Sequence, residues 1–357
     1  MIIYGSSNSQ KANVPKLRFP EFTDEWENKT IGDILKIKHG KDYKQEKNIN
    51  AAYPVFGTGG VITYIDSFLC DWNCVCIGRK GTINKPIYMD EPFWSVDTLF
   101  YSIPNVRENP KFQYYLFQTI NWLKYNAASG VPSLSSSTIE SIPISRPFEL
   151  EQKKISTFLT VLDNKIKKQE ELIEAIKSYK RGALKRVFSK NISGKPLYEI
   201  TSYSSSSLTL TSLGNAPAGK YPVYDASGVS RYIDTYQMTD DYIAIIKDGS
   251  GVGNLQFCNS KSNIIGTLGA IMSNVTPIRY IYYFLQTVDF KPYITGMAIP
   301  HIYYKDYGKL IVPIPSDNEI KNIILCFDEI DRIIKNQELI YHHYKVIKQA
   351  LLQKMFI

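Results

Sequence analysis

The stretch Tyr53-Pro54-Val55-Phe56, running through Gly60-Val61 to Tyr64-Ile65-Asp66, returns 168 residues later as Tyr221-Pro222-Val223-Tyr224, Gly228-Val229 and Tyr232-Ile233-Asp234. The same separation carries Glu151, Lys153, Ile155, Asp163, Ile166, Gln169, Glu170, Lys177, Lys180, Leu184 and Phe188 onto Glu319, Lys321, Ile323, Asp331, Ile334, Gln337, Glu338, Lys345, Lys348, Leu352 and Phe356. The chain is one unit written twice. A duplicated unit supplies a pseudo-twofold, the symmetry that suits a target with two related half-sites.

Each copy has two parts of opposite character. Residues 14–148 and 190–316 are rich in Gly, Pro, Tyr and Ser, with short apolar runs such as Val75-Cys76-Ile77 and Ile243-Ala244-Ile245-Ile246 bounded by turn residues. They read as mixed α/β domains of short strands, with helices expected over Pro110–Lys124 and Pro277–Val288. Residues 149–189 and 317–357 contain no proline and almost no glycine. Steps of four and three along the first give Ile155, Leu159, Leu162, Ile166, Gln169, Ile173, Ile176 and Lys180, and along the second Ile323, Phe327, Ile330, Ile334, Gln337, Tyr341, Tyr344 and Lys348. These are heptad seams, interrupted by the same two polar residues in each. Glu149 and Glu151 after Pro147, with Lys185 and Arg186 at the far end, match the helix dipole. About 38 residues at 1.5 Å each make a rod of roughly 57 Å, whose apolar stripe needs a partner. The other copy is the obvious one, paired antiparallel, with Gln169 near Gln337 as a register-fixing polar pair. The expected fold class is therefore α+β: a tail over 1–13, two repeated mixed domains, and two long antiparallel heptad helices.

Charge points to the partner. The chain is 357 residues long, enough for two or more cores. Its 42 Lys and Arg against 34 Asp and Glu give a net charge of +8, alongside 26 tyrosines, a balance that leans toward an anionic partner. Cys70, Cys74, Cys76, Cys258 and Cys326 are odd in number and scattered, unlike a secreted disulfide framework, so a reducing cytoplasm is the expected home. The first residues lack an apolar leader and no uncharged run approaches a membrane span, so neither export nor membrane insertion is expected.

Strings that invite enzymatic readings fail on context. Gly214 through Lys220 nearly spells a phosphate loop, but Tyr221 stands where Ser or Thr would hold Mg²⁺, and Pro217 removes an amide. Gly249-Ser250-Gly251-Val252-Gly253 has a counterpart, Gly81-Thr82-Ile83-Asn84, that keeps only the first glycine, so a glycine-rich hairpin is the better reading. Glu151-Gln152-Lys153 and Glu319-Ile320-Lys321 have a nuclease-like E-x-K form but open long helices, where Glu answers the dipole. Cys70, Cys74 and Cys76 lack a fourth ligand and an equivalent in the second copy, and read as small buried thiols. His39, His301, His342 and His343 are too dispersed for a triad. The expectation is a chain without catalytic residues, cofactor or metal of its own.

Binding survives. Each mixed domain interleaves Gly and Ser with basic and hydrogen-bonding side chains. The first offers Lys41, Lys44, Thr58, Arg79, Lys80, Thr82, Ser133 and Ser135; the second offers Lys220, Ser227, Arg231, Lys247, Ser250, Asn254, His301, Tyr303 and Lys305. Arg and Lys neutralise phosphates or read guanine, and Ser, Asn and Tyr can take base edges. The copies diverge in these loops, Arg79 against Lys247 and Lys80 against Asp248, while framework positions match. One scaffold with different reading heads is what two dissimilar half-sites require. The rival reading is a coiled-coil scaffold for other proteins, with two peptide- or glycan-binding domains.

Three segments in order resemble the DNA-specificity subunit of type I restriction-modification enzymes. Pro15-Lys16-Leu17-Arg18-Phe19-Pro20-Glu21-Phe22 with Trp26 and Thr30-Ile31-Gly32-Asp33-Ile34 looks like the entry to the family's first target-recognition domain. Pro147-Phe148-Glu149-Leu150-Glu151-Gln152-Lys153-Lys154-Ile155, with Phe158-Leu159 and Leu162-Asp163, looks like its central spacer, and Leu351-Leu352-Gln353-Lys354-Met355-Phe356 like its C-terminal ending. Ile320 departs from the pattern, standing where the family has Gln, opposite Gln152. The resemblance implies two target-recognition domains, 14–148 and 190–316, each reading half of a bipartite double-stranded DNA site, with the helices 149–189 and 317–357 as the ruler between them. It also implies that catalysis lives in partners: two methyltransferase subunits carrying S-adenosylmethionine, and restriction subunits adding Mg²⁺- and ATP-driven translocation and cleavage. The apolar, Tyr-rich outer faces of the rods are where those partners are expected to dock.

Overall fold

Two five-residue runs, Cys74–Gly78 and Tyr242–Ile246, are buried at every position. Strands covered on both faces need such unbroken apolar runs, and each of these becomes an inner strand of a four-stranded antiparallel sheet. The structure, a computed structural model, describes residues 3–4, 13–46, 51–190, 192–214 and 219–357. Most of the expected tail over 1–13 and part of the loop from Gly214 to Lys220 lie outside the described residues.

The chain forms two compact units, Met1–Glu170 with Ile340–Ile357, and Glu171–Leu339. Each therefore takes half of both long helices with one mixed domain, rather than leaving the helices apart. In the first unit the four-stranded sheet runs Leu35–His39, Leu99–Pro104, Cys74–Gly78, Ile87–Met89. A three-stranded sheet runs Gly60–Ile65, Tyr53–Gly57, Trp94–Ser95, and Glu27–Thr30 pairs with Pro143–Arg146. The second unit repeats this as Ser202–Ser205, Leu268–Met272, Tyr242–Ile246, Leu255–Cys258, then Gly228–Ile233, Tyr221–Asp225, Asn263–Ile264, with Gly194–Pro196 against Ile311–Pro313. Even the register shift recurs, between Val55 and Phe56 and between Val223 and Tyr224. One offset was invisible in the sequence. Val55 pairs with Trp94 but Val223 with Asn263, so the second copy carries one more residue between these strands.

The helix expected over Pro110–Lys124 ends at Thr119, where Ile120 turns extended, and a short 3₁₀ turn follows at Trp122–Tyr125. Its counterpart spans Ile278–Leu285. Both pack apolar faces into the cores, with Phe112, Tyr115 and Leu116 in one unit and Tyr280, Ile281 and Phe284 in the other.

The long helices span Glu149–Phe188 and Asp317–Met355. None of the seam residues read from the sequence is exposed, Gln169 and Gln337 included. In the first unit Ile155 and Leu159 share a core with Leu352, Met355 and Phe356, and Phe356 stacks on Phe112 with ring centroids 5.2 Å apart. In the second, Leu184 and Phe327 pack with Tyr283. Burying an aromatic of this kind is worth about 3–5 kcal/mol against alanine. Rising numbers on one helix meet falling numbers on the other within each unit, so the segments run antiparallel. Asp163 takes Lys348 at 2.6 Å and Glu170 accepts from the Tyr341 hydroxyl, while in the second unit Lys180 takes Asp331 at 2.6 Å.

Those ion pairs are one device built twice. The Tyr115 hydroxyl donates to Asp163 at 2.8 Å, and the Tyr283 hydroxyl is shared between Asp331 at 3.1 Å and the nearer Asp328. The Lys348 ammonium stands 5.6 Å from the Tyr115 ring centre and Lys180 stands 5.1 Å from that of Tyr283. Burial pushes both phenols well above their ordinary pKa, so they act as neutral donors. The lysines that interrupt the seams are thus satisfied by an Asp and a Tyr face, as buried charges require.

Candidate nucleic-acid interface

In the first unit the turn leaving Cys74–Gly78 carries Arg79, Lys80, Gly81 and Thr82. A side chain at Gly78 would place its Cβ 2.1 Å from the Thr82 carbonyl oxygen, so only glycine lets the chain fold back this tightly. The backbone is then pinned at several points. Arg79 N–H donates to Thr98 O, Gly81 N–H to Pro132 O and Leu134 N–H to Arg79 O, and Lys80 bridges Ser133. Thr58, at the tip of the Tyr53 hairpin, reaches the same place, its methyl 3.0 Å from a Cβ built at Gly78. The Arg79 guanidinium meets Asp97 at 3.3 Å near the surface. Lys41 follows the end of the Leu35–His39 strand: its N–H donates to Ser95 O, and its carbonyl accepts from the Trp94 indole. Lys44 lies exposed beyond it. Five of the eight residues read from the sequence, Thr58, Arg79, Lys80, Thr82 and Ser133, thus gather around this turn. Ser135 differs, because its hydroxyl accepts from Thr138 N–H as the N-cap of Ser136–Glu140.

The second unit rebuilds this bond for bond. Lys247 N–H donates to Thr267 O, Gly249 N–H to Pro300 O and Ile302 N–H to Lys247 O, and Asp248 bridges His301. Gly249, Gly251 and Gly253 all adopt positive φ, so the loop between the Tyr242 and Leu255 strands is a glycine-rich hairpin. Chemistry differs where geometry does not. Asp248 lies 3.4 Å from His301 Nδ1 and 3.7 Å from Lys247 Nζ, in the place held by a lysine in the first unit. Ser250 is exposed at the loop tip, and Asn254 closes its base by accepting from Ile246 N–H. Tyr303 is exposed with Lys305 5.3 Å over its ring.

The remaining three candidates spread along one hairpin. Lys220 borders its open end, Ser227 sits at its tip donating to Asp225, and Arg231 in its middle donates to Gly214 O. Gln256 ties this hairpin to the Leu255 strand through Asp225 O.

Residues outside the sequence reading also belong here. Val131 beside Pro132, and Met297 and Ile299 beside Pro300, stand exposed next to the two basic turns. The signal was present, since Val131-Pro132 and Ile299-Pro300 recur at the repeat separation. Glu151 and Glu319 do open helices, but they work differently. Glu151 is buried in a two-pronged pair with Arg18, both contacts 2.7 Å, whereas exposed Glu319 accepts from Ser316.

Cys70, Cys74 and Cys76 are fully buried, with the first two sulfurs 3.7 Å apart. A hydrogen bond with Cys74 and burial push the Cys70 thiol far above its ordinary pKa. Among the described residues no cluster of His, Cys, Asp and Glu has the arrangement of a metal site, and no helix is long and apolar enough to cross a membrane.

Repeated mixed domains whose matching turns carry different side chains, built with two long heptad helices, are an arrangement that known proteins share. Residues 23–178 match the family described as the type I restriction modification DNA specificity domain. The chain is 23% identical to a Methanocaldococcus jannaschii protein described as the type I restriction enzyme MjaX specificity subunit, the alignment covering 96% of each. Its fold is similar to the crystal structure of a type I restriction-modification S subunit from M. genitalium, with a TM-score of 0.67 at 19% identity over 96% of this chain and 99% of that one. It is also similar to a chain from a structure on complex assembly and conformational transition of the type I R-M system, with a TM-score of 0.54 at 15% identity over 92% and 97%. The match to the type I DNA-specificity domain thus covers residues 23–178, and over nearly the whole chain the likeness to type I S subunits is one of fold.

Proposed function

We propose that each unit reads one half of a bipartite, asymmetric double-stranded DNA site and that the paired long helices set the distance between the halves. The observation that carries this reading is the turn built twice with the same backbone bonds and different side chains: Arg79, Lys80 and Ser133 against Lys247, Asp248 and His301. Backbone identity keeps both heads on one kind of surface, and side-chain divergence lets them discriminate different base edges. The chain itself supplies no reaction step. Under this reading two methyltransferase subunits bring S-adenosylmethionine, and restriction subunits bring ATP- and Mg²⁺-dependent chemistry, all docked in the cytoplasm on the outer faces of the helices. Exposed Leu172, Tyr179, Leu325, Ile333, Ile340 and Ile347 give those faces apolar surface.

The test lengthens the ruler. Four residues inserted in each long helix, a near-whole turn, should widen the unspecific gap of the recognised site while preserving both half-sequences, read by methylation mapping of complexes with the methyltransferase partners. An unchanged gap refutes the ruler. Binding should also weaken steeply with salt, and Arg79→Ala or Lys247→Ala should each lower the salt slope by about 1 if the residue meets phosphate.

A further inference from the structure

Beside each basic turn a five-residue tip, 128–132 in the first unit and 296–300 in the second, leaves the surface between residues joined at its base. Ala127 N–H donates to Ser133 O, and Thr295 pairs with His301 at the equivalent place. In the first tip the Asn126 amide oxygen accepts from Ala128 and Ser133 and its nitrogen donates to Ala128 O. In the second, Gly296 has φ +88°, and a Cβ there would stand 2.4 Å from Ile299 O. Each tip ends in a proline whose carbonyl holds the glycine of the basic turn, Pro132 with Gly81 and Pro300 with Gly249. These tips are fixed by their own bonds, and what they present is apolar. Val131 is 66% exposed, Ile299 59%, and Met297 wholly so.

A single exposed apolar residue needs no explanation. Two do when they sit at equivalent places, each locked by a proline carbonyl to the turn that carries Arg79 and Lys80 or Lys247 and Asp248, on tips built by different local bonds. Neighbouring polar residues changed freely between the copies, Lys80 to Asp248 and Ser133 to His301, as half-site readers should. Val131 and Ile299 stayed apolar, which marks a task common to both halves rather than a base-specific one. The geometry points to these residues as apolar wedges: Val131 in the first unit, and Ile299 with Met297 in the second, enter the stack of duplex DNA at one step in each half-site and prop it open. Arg79 and Lys80 in the first unit, and in the second Lys247, partly offset by Asp248, supply phosphate attraction beside the wedge, and aliphatic side chains inserted between base steps are an established way to unstack them. The assignment rests on the DNA-reading function proposed above.

The test uses the full chain with its methyltransferase partners, S-adenosylmethionine withheld, on duplexes carrying its selected site with 2-aminopurine walked through each half. Fluorescence should brighten at one step per half for the unsubstituted chain. Val131→Ser should abolish the signal only in the half read by the first unit, and Met297→Ser with Ile299→Ser only in the other. Each should weaken binding to intact duplex on the order of tenfold, with the loss recovered when a mismatch pre-opens that step. A structural defect would weaken intact and mismatched duplexes alike. No brightening, or loss of both signals from one substitution, overturns the wedge while selection of a defined site still upholds DNA reading. A complex that selects no sequence overturns both.

Discussion

Thr160 and Asp328 hold equivalent places in the two units, yet one is a neutral hydroxyl and the other a carboxylate. In the first unit Thr160 lies 3.2 Å from the Tyr115 hydroxyl, and Lys111 sits 3.7 Å over the Tyr88 ring. In the second, Asp328 accepts from both Tyr283 and Arg279, the residue equivalent to Lys111. A second pair of equivalents, Gln152 and Ile320, diverges as far. Gln152 is fully buried, accepts from Asn109 N–H and donates to Pro147 O and Glu108, while Ile320 joins an apolar groove of about 330 Å³ with Pro277, Ile324 and Leu325. The frame is shared, but each unit has settled its buried polar groups by itself.

Substitutions at paired positions test that conclusion. Asp163→Ala should be the most damaging, by about 3 kcal/mol, because it leaves Lys348 facing only a tyrosine ring. Asp331→Ala strips Lys180 in the same way but should cost less, about 2 kcal/mol, since the Asp328 carboxylate still accepts from Tyr283 where the first unit keeps only the neutral Thr160 hydroxyl. Equal losses in urea unfolding would break the comparison. Gln152→Ile should follow at about 2 kcal/mol, by stranding the Asn109 N–H and removing a donor from Pro147 O and Glu108, and Ile320→Gln at about 1–2 kcal/mol, by burying an amide among aliphatic carbons. A tolerated exchange in either direction would mean that the local networks contribute little.

The smallest effect concerns acid. Hydrogen bonds from Ser316 hold Glu319 below its ordinary pKa, so its ionised form stabilises the fold above the unfolded value near 4.5. That contribution is lost as pH falls through the lowered folded value. The gap in melting temperature between the native chain and Glu319→Gln should therefore be present at neutral pH and close in acid. A gap independent of pH would remove the charge from the explanation.

Most of the frame was legible because it rests on periodicity and repetition. The seams could be read from residues spaced three and four apart, and the duplicated sheets from matching strings such as Tyr53–Phe56 and Tyr221–Tyr224. Long-range polar partners were not. Lys180 reads as an interruption of a heptad, and its partner Asp331 lies 151 residues away, a separation no local pattern encodes. Glu151 reads as an answer to a helix dipole, although Arg18 reaches it from 133 residues upstream. At the candidate interface the basic turns stood out by composition, whereas Val131 and Ile299 did not, since exposure of an apolar side chain is visible only once the tip is folded. Ser135 misled for the reverse reason, a hydroxyl that looked free being used as a cap.

The split of the long helices between units has a consequence for how the protein is made. Residues 171–339 form a contiguous unit that can close its core as soon as it leaves the ribosome. The first unit must wait, because Leu352, Met355 and Phe356, which fill its interior beside Trp26 and Phe112, are translated well after the rest of it. The half synthesised first is the half completed last, and during that interval its open apolar core is the surface on which chaperones or misassembly would act.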